Sequence, residues 1–579
     1  MADEREFRIR PGRIRSTRTQ QARPFIAQAL AAAKKAGGGI SRSGRIVAGN
    51  RSRFGHGRRA SIQANRFITS RSRGAVIKAR VVRHSARATP LGAHLMYLRR
   101  DGVTRDGEKA RLFGQGTDNA DGGAFAARTQ DDRHHFRFIV SPDDALEMAD
   151  LKSFTRDLAG QMEKDLGTRL DWVAVDHWNT EHPHVHLIVR GVRDDGQDLV
   201  ISRDYIKEGM RDRARDLITQ ELGPRSDLDI RRSLESQIQS ERWTQLDRQL
   251  LRDSRDTAGI DLAPCPHRQP DEYHTLKVGR LRKLEALGLA DQIGPGQWVI
   301  DDKAETTLRE LGERGDIIKR MHRALTEHGI ERGSAGFVVA AESLDTPIIG
   351  RLIERGLDDE LSGTAYAVVD GVDGRTHHIK LSNLEAAGDS AVGSIVELRG
   401  FDDARGLRRS ALAVRSDLGV DQQVMASGAT WLDRQAIARE PAALSEAGFG
   451  AEVRDALNRR AEHLVNQGLA ERQGRRIVFA RNLLDTLRRT ELDMVADRLA
   501  ADTGQPFNRV ASGGYVAGTY RQRFTLASGR FAMIDDGLGF QLVPWTPSLE
   551  KHLGRHVSGI ARDAGGVDWS FGRKRGPGL

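Results

Sequence analysis

The chain has 579 residues, 38% hydrophobic and 30% charged, with a net charge of +11. At roughly 100–200 residues per domain, that composition reads as three to five soluble domains with ample core. A single cysteine, Cys265, excludes an internal disulfide framework and fits a reducing cytoplasm. No apolar run approaches the roughly 18 residues of a membrane span, and no signal-peptide pattern opens the chain, so neither insertion nor general secretory export is expected.

The charge is unevenly spread. Residues 1–90 hold 22 Lys+Arg against 3 Asp+Glu, leaving 69 against 77 in the remainder. An Arg-, Gly- and Ser-rich segment over 1–73 therefore reads as a flexible basic arm suited to neutralising phosphates. Residues 75–82 read as a first strand with Lys78 and Arg80 on one face. A helix follows over 92–100, containing Tyr97, Arg99 and Arg100 and closed by Asp101-Gly102. After a polar, Gly-rich loop comes a strand over 135–140. Ser141-Pro142-Asp143-Asp144 then has the form of a helix start, predicting a helix to about Leu166.

Next comes Ala174-Val-Asp-His-Trp-Asn-Thr-Glu-His-Pro-His-Val-His-Leu-Ile-Val-Arg190, with four of the 18 histidines. Residues 170–175 and 185–192 read as strands, and a turn over 179–183 makes them an antiparallel hairpin. Strand alternation puts His184 and His186 on one face, and the hairpin brings His177 alongside. Three converging imidazoles are a divalent-metal site with positions left for a ligand. A helix from about 203 to before Gly223-Pro224 and another over 227–253 complete an α+β domain with a mainly antiparallel central sheet and flanking helices.

The second half carries an internal duplication. Arg280-Leu-Arg-Lys-Leu-Glu-Ala-Leu-Gly-Leu-Ala290 resembles Arg459-Arg-Ala-Glu-His-Leu-Val-Asn-Gln-Gly-Leu-Ala470, each leading into a short strand pair. Tyr366-Ala-Val-Val-Asp370 likewise resembles Phe531-Ala-Met-Ile-Asp535. Two rounds of a winged-helix-like and a small β-barrel-like module are expected. The organisation is then a basic arm over 1–73, the histidine-bearing α+β domain over 74–255, a winged-helix-like module over 256–332 and a β-barrel-like module over 333–420. A second winged-helix-like module over 421–500 and a second β-rich module with a basic tail over 501–579 follow. Gly388-Asp-Ser-Ala-Val-Gly393 has phosphate-loop glycine spacing without the lysine, which argues against a helicase motor.

A basic arm, histidine-bound metal and a nucleophile together make a nuclease. Tyr97, the only tyrosine among the first 200 residues, is the candidate nucleophile. A phenol with a pKa of about 10 needs a base or cationic field, and a metal to polarise the phosphate.

His184-Val-His186 has the His-hydrophobe-His form of rolling-circle and conjugative single-strand endonucleases. The wider pattern His177-x-Asn179-x-x-His182-Pro183-His184-x-His186 resembles motif III of plasmid relaxases related to the T-DNA border-nicking endonuclease. Leu95-Met-Tyr97-Leu-x-Arg-Asp-Gly102 resembles that family's motif I, and His135-Phe-Arg-Phe-Ile-Val-Ser-Pro142 the strand and turn between. The specific match covers roughly 74–225; the second half resembles the extension of uncharacterised function often fused to such relaxases.

The resemblance implies a relaxase-type sheet and a 5′-phosphotyrosyl intermediate on Tyr97. It implies Mg²⁺ or Mn²⁺ held by His177, His184 and His186, with His182 supporting or substituting. Asn179 stands where relatives commonly have aspartate, which shifts the role of base to Asp176 or Glu181. Lys78, Arg80, Arg99, Arg100 and Arg190 are the basic residues assigned to DNA. Implied partners are single-stranded DNA at an origin of transfer, relaxosome accessory proteins and a type IV secretion coupling protein. The implied setting is the bacterial cytoplasm, with passage to a recipient cell on the DNA. The alternatives are a replication initiator or transposase of the same class, a hydrolytic nuclease, and a non-catalytic DNA-binding protein with a structural metal site.

Overall fold

The computed structural model describes residues 39–40, 46–47, 71–84, 91–99, 103–178, 182–253, 259–263, 273–340, 347–402, 406, 408–562 and 566–571. The basic arm lies outside them apart from two short paired strands, Gly39–Ile40 and Ile46–Val47, and its last residues, 71–73. The basic tail and Cys265 also lie outside. The chain divides into two compact units, Met1–Ser240 with Thr244–Ile300, and Glu241–Trp243 with Asp301–Leu579.

In the first unit, β1 (Ala75–Arg83), β2 (His134–Pro142), β3 (Trp172–His177) and β4 (His184–Arg190) form an antiparallel sheet in the order β1-β2-β4-β3. Period-two alternation gives it two faces. On one, Phe136, Phe138, Val140, Val185, Leu187 and Val189 pack on α3 (Leu151–Leu166). That helix buries Leu151, Phe154, Leu158, Ala159, Met162 and Leu166, a stripe at helical spacing. Its larger side chains each contribute roughly 1.5–3 kcal/mol by leaving water. On the other face, Val173, Val175 and Ile188 pack on α1 (Leu91–Leu98) and α2 (Gly122–Arg128).

Two helix boundaries differ from the sequence reading. Ser141 and Pro142 do not start a helix; they extend β2 in register with Val76 and Ala75. Asp150 caps α3 instead, accepting from the amides of Lys152 and Ser153, and Gly167 ends it at φ 68°. After a π-turn at Tyr205–Gly209 and α4 (Met210–Leu222), the single helix expected over 227–253 is two, α5 (Asp227–Ile238) and α6 (Gln245–Asp253). A buried arginine accounts for the break. Arg280 of α7 (His274–Ala286) donates to the carbonyls of Gln237, Ile238 and Ser240 and pairs with Asp247 at 2.8 Å. Short β5 (Ile260–Asp261) joins the hairpin β6 (Ala290–Gly294) and β7 (Gln297–Ile300).

The second unit opens with α8 (Ala304–Glu327) and a six-stranded sheet. Its strands are β8 (Phe337–Ala340), β9 (Ile348–Asp359), β10 (Thr364–Gly371), β11 (Thr376–Leu381), β12 (Ile395–Asp402) and β13 (Arg408–Ser416), in the order β8-β11-β10-β9-β12-β13. Short α9 (Val420–Val424) and α10 (Trp431–Ala436) precede α11 (Gly448–Asn466), the hairpin β14 (Ala470–Gln473) and β15 (Arg476–Phe479), and α12 (Leu483–Thr503). A five-stranded sheet follows: β16 (Tyr515–Leu526), β17 (Gly529–Asp535), β18 (Phe540–Pro544), β19 (His556–Ala561) and β20 (Val567–Ser570), in the order β18-β17-β16-β19-β20.

Strands β9–β13 and β16–β20 share one order, and each set begins with a bulged 12-residue strand. Both sheets are open and linear, so the barrels expected from sequence are not closed among the described residues. The architecture is α+β, with several separate sheets.

Candidate active site

Strand pairing sets His177 directly opposite His184, while His186 stands two residues further along β4 on the same face. All three are buried, and their ligand atoms lie within 4.8 Å of one another. Hydrogen bonds select the tautomers. His184 donates from Nδ1 to the carbonyl of His182 at 2.9 Å, which turns its Nε2 lone pair to His186 Nε2, 3.2 Å away. Two nitrogens about 2.1 Å from one ion at an angle near 100° have that separation. His177 donates from Nε2 to the carbonyl of Leu98 at 2.8 Å, leaving the lone pair on Nδ1. Such a donor set fits a divalent metal of the imidazole-binding kind.

Leu98 is the last residue of α1. Leu91, His94, Leu95 and Leu98 form that helix's buried stripe, and Tyr97 flanks it, half-buried against the same core cluster. The bond from His177 therefore joins the histidine cluster to the end of the helix that carries the tyrosine.

Residues 119–223 match the family model of the MobA/VirD2-like relaxase nuclease domain, covering β2, β3, β4 and their helices. The first unit therefore carries a MobA/VirD2-like relaxase nuclease domain. Residues 277–406 and 398–578 match a second family, described as a protein of unknown function (DUF3363), which forms the relaxase's extension. No curated protein and no solved structure matches the chain.

A relaxase nuclease domain binds and nicks DNA with the help of a metal, and the histidine cluster is where this domain can hold one. No helix among the described residues is long and apolar enough to cross a membrane. The remaining expected site residues divide by face. Lys78 and Arg80 are exposed on edge strand β1, on the histidine side; Lys78 pairs with Ile139, which pairs with His186. Arg99 is half-buried after Tyr97, its Nε without a hydrogen-bond partner among the described residues.

Asp176 alternates to the opposite face from His177 and accepts from Trp178 Nε1 at 2.6 Å. His182 contributes its carbonyl to His184 and is not among the clustered ligand atoms. Arg190 spends its guanidinium on carboxylates, bidentate with Asp132 at 2.8 and 2.9 Å and bonded to Asp171 at 3.2 Å. These bonds hold its pKa above the usual arginine range. Arg100, Asn179 and Glu181 lie outside the described residues.

The sequence reading missed a second polar cluster of the relaxase sheet. Arg137 on β2 donates from Nε to His135 Nε2 at 3.0 Å, and His135 Nδ1 lies 2.6 Å from His84 Nε2. Burial, then the charge of Arg137, pushes the His135 pKa down to about 3. The signal was present in the alternation His135-x-Arg137, which sets polar side chains on the face that β4 fills with histidine.

Proposed function

We propose that this protein is a site- and strand-specific relaxase that nicks single-stranded DNA at a plasmid origin of transfer by reversible transesterification. His177, His184 and His186 would hold a divalent cation, which the relaxase resemblance rather than the donor set makes Mg²⁺ or Mn²⁺, and when bound it would supply Lewis-acid polarisation of the scissile phosphate. Tyr97 Oη forms a bond to phosphorus while the bond from phosphorus to the 3′ oxygen breaks. The phenolic proton passes to a carboxylate, which we assign to Glu181 because Asp176 faces away, and then to the departing 3′ oxygen. The 5′ phosphate stays on Tyr97 with the bond energy needed for later rejoining.

The observation that carries this reading is the convergence of three imidazoles beside the carbonyl that ends the Tyr97 helix. Lys78, Arg80, Arg99 and Arg100, with the basic arm, hold the strand. Relaxosome accessory proteins present the origin, and a type IV secretion coupling protein receives the adduct. The two helix–hairpin units act as winged-helix-like docking modules.

The test is incubation with Mg²⁺ and single-stranded oligonucleotides tiled across the protein's own plasmid, resolved on denaturing gels. Wild type is expected to give a protein-linked 5′ fragment that Tyr97→Phe and the His184→Ala/His186→Ala double variant both lose. An adduct persisting in Tyr97→Phe moves the nucleophile. A free 5′ phosphate without adduct means hydrolysis, and shifted but uncut DNA means a binding protein.

A further inference from the structure

Arg137 is only 8% exposed, yet among the described residues it makes no ion pair with a carboxylate. Burial, and then the charge of Arg80 directly opposite on β1, lowers its pKa to about 10. Like charges placed opposite one another across strands are unfavourable, and a buried cation without a counter-ion is costly. Both costs fall if an anion sits between the two guanidiniums.

The side chain is also held in place. His135 stays neutral and accepts from Arg137 Nε, fixing the guanidinium plane with Nη1 and Nη2 still to be used. Arg137 pairs with Ile188, two residues from His186 on the same face of β4. At about 3.4 Å per residue along a strand and 4.8 Å between strands, its backbone lies about 8 Å from that of His186.

We propose that Arg137, oriented by His135 and flanked by Arg80, binds a backbone phosphodiester of single-stranded DNA next to the phosphate at the histidine centre. The proposal rests on the nicking function above and adds the subsite that sets the strand's register over it. A planar guanidinium grips two phosphate oxygens at once, and the contact is blind to base identity.

The experiment uses the full chain in EDTA, which stops metal-assisted cleavage, and a fluorescent oligothymidylate titrated by anisotropy between roughly 50 and 200 mM salt. Loss of one single-strand phosphate contact lowers the slope of log affinity against log salt by about 0.7. Arg137→Gln is expected to show that loss, with the same decrement on oligodeoxyadenylate. Arg137→Lys, which keeps the charge, is expected to restore the slope. An unchanged slope in Arg137→Gln, or an equal loss in Arg137→Lys, overturns the site in favour of a packing role. Adduct formation is scored separately: a chain that forms no adduct but shows the slope change refutes the nicking reading and leaves the phosphate site standing.

Discussion

The Nε2–H of His177 donates to the carbonyl oxygen of Leu98 at 2.8 Å, so one histidine of the cluster also ties down the end of the Tyr97 helix. The last four carbonyls of a helix have no partner within it, and a donor there is a cap. His177→Ala should therefore lower the melting temperature without metal more than His186→Ala does, by the roughly 1–3 kcal/mol of an unsatisfied buried carbonyl. Mn²⁺ should raise the wild-type melting temperature, by about 2.7 kcal/mol of stability at 100 times its Kd. The His184→Ala/His186→Ala variant should show no rise. Thermal melts with and without Mn²⁺ check both, and equal metal-free losses would contradict the capping role.

Of the two carboxylates named as bases, Asp176 is set apart from the histidines by the two faces of β3. Asp176 lies opposite to the histidines and is occupied by Trp178 Nε1. Asp176→Asn should leave the initial rate of adduct formation within about threefold, whereas Glu181→Gln should lower it by roughly 10²–10⁴, the span of general base catalysis. Quenched time courses on one cleavable oligonucleotide decide the matter, and the reverse pattern would return the proton to Asp176.

What the sequence made legible was whatever a period reports. Alternation alone puts His184 and His186 on one face, and the hairpin reading brings His177 alongside, where strand pairing sets it opposite His184. Ser141-Pro142 misled because a capping signature says nothing of ladder partners, and Val76 and Ala75 claim those residues for the sheet. The buried charges went unread for a related reason. Thr244-Gln-Leu-Asp-Arg-Gln249 and Thr430-Trp-Leu-Asp-Arg-Gln435 are a second, closer repeat, but a search for apolar periodicity gives no weight to an arginine or aspartate that is wholly buried.

Helix α4 carries Asp212 and Asp216, whose pKa values burial raises to about 6. Each has an Oδ2 buried without a hydrogen-bond partner among the described residues. The unfolded value is about 3.9, so between the two values the folded chain binds protons that the unfolded chain does not. Stability from these groups is therefore fully present below about pH 4 and is lost as pH rises through about 6. Asp212→Asn should stabilise the first unit at about pH 8, by at most the roughly 3 kcal/mol that two pKa units represent, and have little effect near pH 4. Melting curves of the two proteins across that range should converge on the acid side; a constant gap would assign the effect to packing.

The repeated arginines make the sharpest stability test. Arg280 and Asp247 are 0% and 1% exposed in their side chains, and Arg460 and Asp433 are 1% and 0%. Each arginine is bidentate to its aspartate and also donates to carbonyls ahead of the aspartate's helix. Each aspartate meanwhile accepts from the hydroxyl and amide of the preceding threonine, Thr244 or Thr430. Removing only the arginine strands a carboxylate in the core, so Arg280→Met and Arg460→Met should each cost about 3–5 kcal/mol. Adding Asp247→Asn or Asp433→Asn keeps an oxygen for the threonine and removes the charge, and should recover much of that loss. Because the two sites lie in different units, a single melting point is a poor measure, and hydrogen exchange over α7 and α11 reads each locally. Faster exchange confined to the mutated unit, and reversed by its own aspartate change, is the expected result. Loss in Arg280→Met that Asp247→Asn leaves uncorrected would mean that the arginine acts through the carbonyls it binds rather than through its charge.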